Sequence, residues 1–446
     1  MDIALPPRLA PVFTALERAG ARILLVGGAV RDSLLGFPVH DWDLEVFGLS
    51  ETRLEECLAP FAVHRVGGRC AVWLLAGAEI ALPQRGGILD PHLPWSMAAQ
   101  RRDFTVNALA WDWQSGQVLD TVGGLRDLQE KRLRVVHPET FAEDPLRSFR
   151  AARFAGQLDF HLDAASVRIC QKLAIALAEL PAERLRNEWE ALLLRGRNLR
   201  RAWDALAQTG SIQAFPAIAA LQAVPQRPDA HPEGDVWIHT GKVLAEAAAL
   251  RQGQPARDLV LMLAALLHDL GKVSCTRRDA HQVWRAIGHE QTLAPATIFL
   301  GRYFPGAQLQ SRILPLLRWH GAPHALFHAK AGHKAYARLA LRVPDRRLLL
   351  DLALADARGA GHSDVPAIDS ARQIWQKLGL WETLPSALLR GEDLLTLGIP
   401  PGPRLGKILR AAYQKQVLEN HQDRLTLVKA MHGIFPEINP PDAPSC

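Results

Sequence analysis

One stretch constrains the fold more than any other: Leu25-Val-Gly-Gly-Ala-Val-Arg-Asp-Ser-Leu-Leu-Gly-Phe-Pro-Val-His-Asp-Trp-Asp-Leu44. The apolar run Ile23–Val26 predicts a strand, Gly27 and Gly28 interrupt it, and Val30–Leu35 predicts a helix before a second strand over Trp42–Val46. Asp41 and Asp43 stand two apart on an extended segment and so share a face. Two carboxylates placed this way can hold two hard divalent ions close together, as in-line phosphoryl transfer requires. The Gly-Gly turn lets backbone N–H groups approach a triphosphate with no side chain in the way. Alone, Asp-x-Asp is more often a surface turn. The Gly-Gly, the Arg31-Asp32 pair and the short interval to Asp41 favour the functional reading.

The rest of the composition is permissive. A chain of 446 residues has room for two to four domains. Its 48% hydrophobic and 22% charged residues are those of an ordinary soluble protein. A net charge of +6 and a pI near 9.2 favour an acidic partner such as nucleic acid, though a merely soluble surface fits equally well. Cys57, Cys70, Cys170, Cys275 and Cys446 are scattered without a Cys-x-x-Cys. They are expected to be reduced thiols of a cytoplasmic protein, and they argue against a cysteine zinc site. No basic segment followed by an apolar core opens the chain, so no signal peptide is expected. The longest apolar run, Leu259–Leu267, is too short for a bilayer, and no membrane partner is expected.

The fold class is read as α+β. Strand-like pieces at Ala71–Leu75 and Glu79–Leu82 and a helix near Ser50–Leu58 make residues 23–112 mixed α/β. From Asp144 apolar residues recur at helical spacing through Leu194. Gln222–Pro232 reads as a proline-rich linker. A second helical unit follows from Val236 to Gly361, and a last helical piece starts near Glu382 with a break over Gly398–Pro403. The final residues, 439–446, hold three prolines and are expected to fray.

Further motifs follow in order. Glu79 is a candidate third carboxylate, with a solvated strand residue an equal alternative. In Arg101-Arg102-Asp103-Phe-Thr-Val-Asn107 the arginines can neutralise a triphosphate and the aspartate can accept a ribose hydroxyl. Asp120 and Gly123–Asp127 read as a turn. In Glu143-Asp144-Pro145-Leu-Arg147-Ser-Phe-Arg150-Ala-Ala-Arg153, Asp144 suits an N-cap and Pro145 the first helical position. Asp144 and Arg147, an acceptor beside a donor fork on one helix face, can read a nucleobase edge without a template. Glu183-Arg184-Leu-Arg-Asn-Glu188 offers Arg184 as a phosphate contact, or a salt-bridged helix surface.

The first segment resembles the nucleotidyltransferase superfamily that includes DNA polymerase β. The ordered motifs, with the tail Gly391–Gly406, resemble bacterial class II CCA-adding tRNA nucleotidyltransferases over nearly the whole chain. The resemblance implies two-metal attack of an RNA 3′-hydroxyl on the α-phosphate of CTP or ATP. Asp41 and Asp43 would bind Mg2+. Gly27, Gly28 and Arg31 would hold the triphosphate, and Arg102, Asp103 and Asn107 the ribose and phosphates. Asp144 and Arg147 would select the base, with Arg150, Arg153 and Arg184 also counted as nucleotide-binding. The helical body and tail would clamp the tRNA acceptor arm, in a monomer or homodimer. The segment between Glu79 and Arg101 is shorter than in full CCA-adding relatives and similar to that in CC-adding ones. CCA addition is the expectation, CC addition the alternative, and poly(A) polymerase a more distant one.

A second constellation comprises His239, His268-Asp269-Leu-Gly-Lys272, His289, His320 and Asp356. Imidazole and carboxylate together suit a transition metal. The set resembles the HD phosphohydrolase family. The resemblance implies a metal (Ni2+, Mn2+ or similar) on His239, His268, Asp269 and Asp356, with His268 and Asp269 catalytic. It also implies phosphatase, 2′-nucleotidase and 2′,3′-cyclic phosphodiesterase activity, for tRNA 3′-end repair. His289 and His320 would complete a second metal position or bind substrate phosphate. The implied layout is a catalytic head over 1–138, a helical neck and body over 139–225, an HD domain over 226–365 and a helical tail over 366–446.

Overall fold

Short strands, buried almost throughout over Arg22–Val26 and Trp42–Phe47 and alternately over Val72–Leu75 and Ala78–Ala81, organise the N-terminal half. In a computed structural model that describes residues 3, 5–39, 41–68, 71–75 and 77–438, the chain runs through α1 (Ala10–Arg18), β1 (Arg22–Val26), α2 (Gly28–Leu34), β2 (Trp42–Phe47), α3 (Glu51–Leu58), β3 (His64–Val66), β4 (Val72–Leu75), β5 (Ala78–Ala81), β6 (Gln84–Arg85), β7 (Ile88–Leu89), α4 (Trp95–Ala99), β8 (Ala110–Asp112) and β9 (Val118–Leu119). The end expected to fray, Cys70 and Cys446 lie outside the described residues; Cys57, Cys170 and Cys275 are free. Seven strands form one mixed sheet in the order β3-β4-β5-β2-β1-β8-β9. Within this sheet, among the described residues, only β2 and β5 pair in parallel. Ile23–Val26 of β1 are buried, because β1 is flanked by β2 and β8 and packs against α1 and α2.

A helical body follows: α5 (Gly124–Gln129), β10 (Arg132–Leu133), α6 (Pro138–Ala142), α7 (Leu146–Leu158), β11 (His161–Leu162), α8 (Ala164–Leu177), α9 (Ala182–Arg195) and α10 (Leu199–Gln208). Phe149, Trp189 and Phe215 meet edge to face at 5.0, 5.1 and 5.6 Å between ring centres. Each such pair adds about 0.5–1.5 kcal/mol beyond area burial. Gly123–Asp127, read from sequence as a turn, instead opens α5. The Asp120 carboxylate accepts the N–H groups of Val122, Gly123, Gly124 and Leu125 at 2.8–3.1 Å, and an anion there also favours the positive end of the helix. Asp127 is buried and accepts from Arg132, Arg134 and the Thr105 hydroxyl.

The contact pattern divides the chain into Met1–Phe215 and Pro216–Cys446. The second unit comprises α11 (Pro216–Ala219), α12 (Val236–Ala249), α13 (Pro255–Leu267), α14 (Lys272–Cys275), β12 (Arg277–Arg278), β13 (Trp284–Arg285), α15 (Ala294–Tyr303), α16 (Ala307–Trp319), α17 (Ala322–His328), α18 (His333–Arg342), α19 (Arg346–Gly359), α20 (Pro366–Lys377), α21 (Gly391–Thr396), α22 (Pro403–Glu419) and α23 (Arg424–His432). Helix α12 packs on α13 and α19, which sets three of the histidine- and aspartate-bearing elements side by side. The segment read as a linker does not span open solvent: Gln226 is buried, and the Val236 N–H donates to the Val224 carbonyl. In the tail, Leu394, Ile408, Leu427 and Met431 share a core. Among the described residues, no helix is long and apolar enough to cross a membrane.

Candidate active sites

The first site grows from the β1–α2 turn. Gly27 has φ +69° and ψ −130°, a conformation open to glycine. A Cβ there would lie 3.5 Å from both Arg102 Nη1 and Asp43 Oδ2, so the missing side chain leaves the floor of a cleft clear. This cleft, about 1030 Å³, is lined by Gly27, Gly28, Arg31, Asp41, Asp43, Arg102, Asp103, Asn107, Asp144, Arg147, Arg150 and Arg153. These candidates, spread over more than a hundred residues of sequence, thus share one concavity in which arginines outnumber carboxylates. Arg184 does not line it; it donates to Asp144 Oδ2 at 2.9 Å.

Polar links fix the wall. Arg31, 3% exposed, donates to Asp32 at 2.8 Å and to the Asn107 side-chain oxygen. Asn107 donates to Asp103 Oδ1 at 2.9 Å, and Arg150 Nη2 stands 2.7 Å from Asp103 Oδ2. Burial pushes the Asp103 carboxyl up, but the Arg150 charge and the Asn107 and Phe104 donors outweigh it and hold it at about 2. Arg31, Arg150 and Arg153 surround the Phe154 ring at 5.2, 5.3 and 4.1 Å, a cation–π arrangement that keeps three like charges on one wall. Arg153 is further neutralised by Glu188 at 2.6 Å.

Burial raises the Asp43 carboxyl above its ordinary value against the pull of Arg102, and the Asp41 charge adds to the rise. Burial raises Glu79 as well, with Asp43 and Asp41 adding to it. Asp41 is open to solvent, 3.7 Å from Arg195. Arg147 donates to the carbonyls of Thr140 and Arg101 at 2.7 and 2.8 Å, which pins its guanidinium. Asp144 Oδ1 accepts the Leu146 N–H at 3.2 Å, and Pro145 already has helical angles. Sequence reasoning missed Glu45, Phe154, Arg195 and Arg197. Glu45 takes Arg102 Nη2 at 2.8 Å. Its alternation with Asp41 and Asp43 was the available signal. Arg195 and Arg197 also line the cleft, but lie beyond the motif pattern.

The second site is buried within the C-terminal unit. His239 Nε2 lies 3.0 Å from Asp356 Oδ1, 3.4 Å from His268 Nε2 and 3.7 Å from Asp269 Oδ2. His268 Nε2 is 3.2 Å from Asp269 Oδ2 and 3.8 Å from Asp356 Oδ1. The other Asp269 oxygen is 3.3 Å from His289 Nε2, and Asp269, His289 and His320 form an adjoining group. His268, His289 and His320 each place Nδ1 on a backbone carbonyl, of Ala265, Ala286 and Leu317, at 2.7–2.9 Å. A carbonyl only accepts, so each Nδ1 carries hydrogen and each Nε2 faces the cluster. Burial lowers His320 to about 4, which keeps that ring neutral. Burial opposes charge on His239 too, but the Asp356 and Glu233 carboxylates raise it to about 9. His231, Glu233 and Lys272 also gather here. His231 lies in the stretch that composition marked as linker, and Glu233 directly follows it.

The mixed sheet, the glycine turn and the paired aspartates at the head of β2 define the nucleotidyltransferase class. Residues 93–134 match the family model of the Poly A polymerase head domain, and residues 159–221 that of the "Probable RNA and SrmB-binding site of polymerase A". More narrowly, the chain belongs to the multifunctional CCA protein family. It is 33% identical over 402 residues to the Multifunctional CCA protein of Pasteurella multocida, covering 84% of this chain and 92% of that one. The fold is similar to the Bacillus stearothermophilus CCA-adding enzyme in complex with CTP (TM-score 0.65, 22% identity, 97% and 100% of the two chains). It is also similar to the Thermotoga maritima CCA-adding enzyme complexed with tRNA (TM-score 0.64, 19% identity, 97% and 96%).

Proposed function

We propose that the first site adds CCA to tRNA 3′ ends from CTP and ATP. The observation that carries this reading is the single cleft joining Asp41 and Asp43 to an arginine wall and to the Asp144–Arg147 pair. Carboxylate oxygens suit a hard cation. Asp41 and Asp43 would hold Mg2+, which when bound supplies charge stabilisation at the reacting phosphate and activates the RNA hydroxyl in two-metal nucleotidyl transfer. Arg31, Arg102, Arg150 and Arg153 bind and neutralise the triphosphate. Asp103 and Asn107 set the ribose, and the pinned Arg147 fork with Asp144 hydrogen-bonds the base. The RNA 3′-oxygen forms the new bond to the α-phosphorus, and pyrophosphate leaves. The Arg184 contact gives Asp144 a fixed partner; the acceptor arm of tRNA is the macromolecular substrate.

Extension of tRNA lacking its terminal triplet, resolved at single nucleotides, tests this reading: three residues ending in A are expected. Two cytidines with ATP present would establish CC addition instead. That second reading is favoured by one feature. The short segment after β5 is tied down: β6 and β7 form a hairpin, and the Gly48 N–H donates to the Pro91 carbonyl at 2.8 Å. A long run of adenylates would indicate poly(A) polymerase.

For the second site, we infer a metal-dependent phosphohydrolase that clears damaged tRNA ends of phosphate or cyclic phosphate. What supports it is the convergence of inward-facing Nε2 atoms on buried Asp269 and half-buried Asp356. His239, His268, Asp269 and Asp356 would hold a transition metal such as Ni2+ or Mn2+, which when bound polarises a phosphate and acidifies a water. His289 and His320 offer a second position that shares Asp269. Lys272, 2.8 Å from Asp269 Oδ2, adds positive charge beside the phosphate. The paired substitutions His268→Ala and Asp269→Ala should abolish 2′,3′-cyclic phosphate hydrolysis and spare CTP incorporation; undiminished hydrolysis would sink the assignment. The proposed layout remains head 1–138, neck and body 139–225, HD domain 226–365 and tail 366–446.

A further inference from the structure

The proline-rich stretch between α11 and α12 makes two separate contacts with the second site. The Glu233 side chain is 1% exposed, and its Oε1 lies 2.7 Å from His239 Nδ1 and 3.0 Å from His231 Nδ1. Seven residues earlier, Gln226 Oε1 accepts Lys272 Nζ at 2.8 Å, and the same ammonium lies 2.8 Å from Asp269 Oδ2. The stretch is anchored at its end: Asp235 caps α12 through the Ile238 N–H at 2.8 Å, and its second oxygen accepts the Ala223 N–H at 3.1 Å.

We propose that residues 222–235 are a positioning strap for the buried metal site, with Glu233 orienting His239 and Gln226 orienting Asp269 through Lys272. The inference rests on the metal-site reading above and adds to it the groups that aim the ligands. The carboxylate acceptor at Nδ1 makes that nitrogen the protonated one. Nε2, which points at Asp356, Asp269 and His268, is then the nitrogen that would give up its proton to a cation. A carboxylate behind a ligating imidazole also raises its basicity, and loss of such a partner costs about 10–100-fold in metal affinity. Gln226 acts one step further out. By sharing the Lys272 ammonium with Asp269 Oδ2 it fixes where that charge sits, and with it the orientation of the carboxylate between the two histidine groups.

His231, Glu233 and His239 also lie close enough to be ligands of an ion of their own. The hydrogen-bond distance from Glu233 to His239 Nδ1 speaks against it. An ion there would take the Nδ1 lone pair and leave Nε2 protonated, which removes His239 from the central cluster.

The test uses the full chain, stripped with chelator and titrated calorimetrically with Ni2+. The binding component that vanishes in the double variant His268→Ala/Asp269→Ala belongs to the second site. Glu233→Gln should weaken that component about 10–100-fold with its stoichiometry unchanged. Gln226→Ala, a milder change should Glu233→Gln fail to fold, should weaken it about 3–10-fold. CTP incorporation, retained in both, serves as the folding control. An unchanged dissociation constant overturns the strap. Loss of one Ni2+ equivalent in Glu233→Gln overturns it too, because Glu233 would then be a ligand. If wild type shows no component sensitive to the double substitution, the metal-site reading itself falls, and the strap with it.

Discussion

Asp43 and Glu79 stand opposite each other in the parallel register of β2 and β5. Both are raised above their ordinary range, first by burial; the Asp41 charge then adds to the rise of Asp43, and the Asp43 and Asp41 charges to that of Glu79. A carboxyl raised in the folded state contributes stability that is fully present below its unfolded value and lost as pH rises through the folded one. The metal-free protein therefore carries strain at neutral pH. Asp43→Asn should raise the melting temperature of metal-free protein at pH 7, while nucleotidyl transfer falls on the order of 10³-fold. Glu79→Gln should cost transfer about 10-fold. A melting curve and single-turnover extension check both.

Asp103 shows the opposite sign. Its carboxyl is held at about 2, so its contribution is present above the unfolded value near 3.8 and is lost as pH falls toward 2. Asp103→Asn leaves Arg150 without its partner and should cost about 3 kcal/mol by denaturant unfolding, below the full penalty because Arg150 is partly solvated. The stability gap between wild type and variant should close as pH is lowered toward 2.

Arg147 is held by two backbone carbonyls, a geometry that a lysine cannot reproduce. Arg147→Lys should therefore behave like Arg147→Ala. Selection of CTP and ATP over UTP and GTP should fall about 100-fold in kcat/KM ratio, with the fold intact. Competition assays with mixed nucleotides measure it.

Gly271 lies against the His289 segment, and a Cβ there would sit 2.1 Å from the His289 carbonyl oxygen. Backbone must move to relieve that contact. Gly271→Ala should displace His289 and lower cyclic-phosphate hydrolysis at least about 10-fold while tRNA extension persists. Parallel assays of the two activities distinguish this from global unfolding.

Strands with enough length declared themselves. β1, β2, β4 and β5 lie within a residue or two of where hydrophobic pattern placed them, and Ser50 caps α3 where its helix was expected to start. β3, β8 and β9 have only two or three residues each, too few for a period; β8 is fixed by β1 far earlier in the chain, and β3 and β9 by antiparallel pairing with the strands next to them in sequence. The motif residues of the first cleft were legible because each carries chemistry in its own type. Their partners were not: Glu45 on Arg102, and the Arg101 carbonyl on Arg147, depend on closure across 40 residues or more. The linker reading of residues 222–232 misled for a related reason. Proline content reports on local backbone, whereas Gln226 and Glu233 acquire their roles from helices that follow.

The lone parallel pair in the sheet also orders events in time. An antiparallel neighbour can arrive by a tight turn, but β5 reaches β2 only after the chain has gone out through α3 and come back through β3 and β4. Asp41 and Asp43 sit on the early side of that excursion and Glu79 on the late side. On a growing chain, the segment that carries the two aspartates and Gly27 emerges before the strand that carries Glu79. Fraying from the β3 edge would dismantle the set in the reverse order.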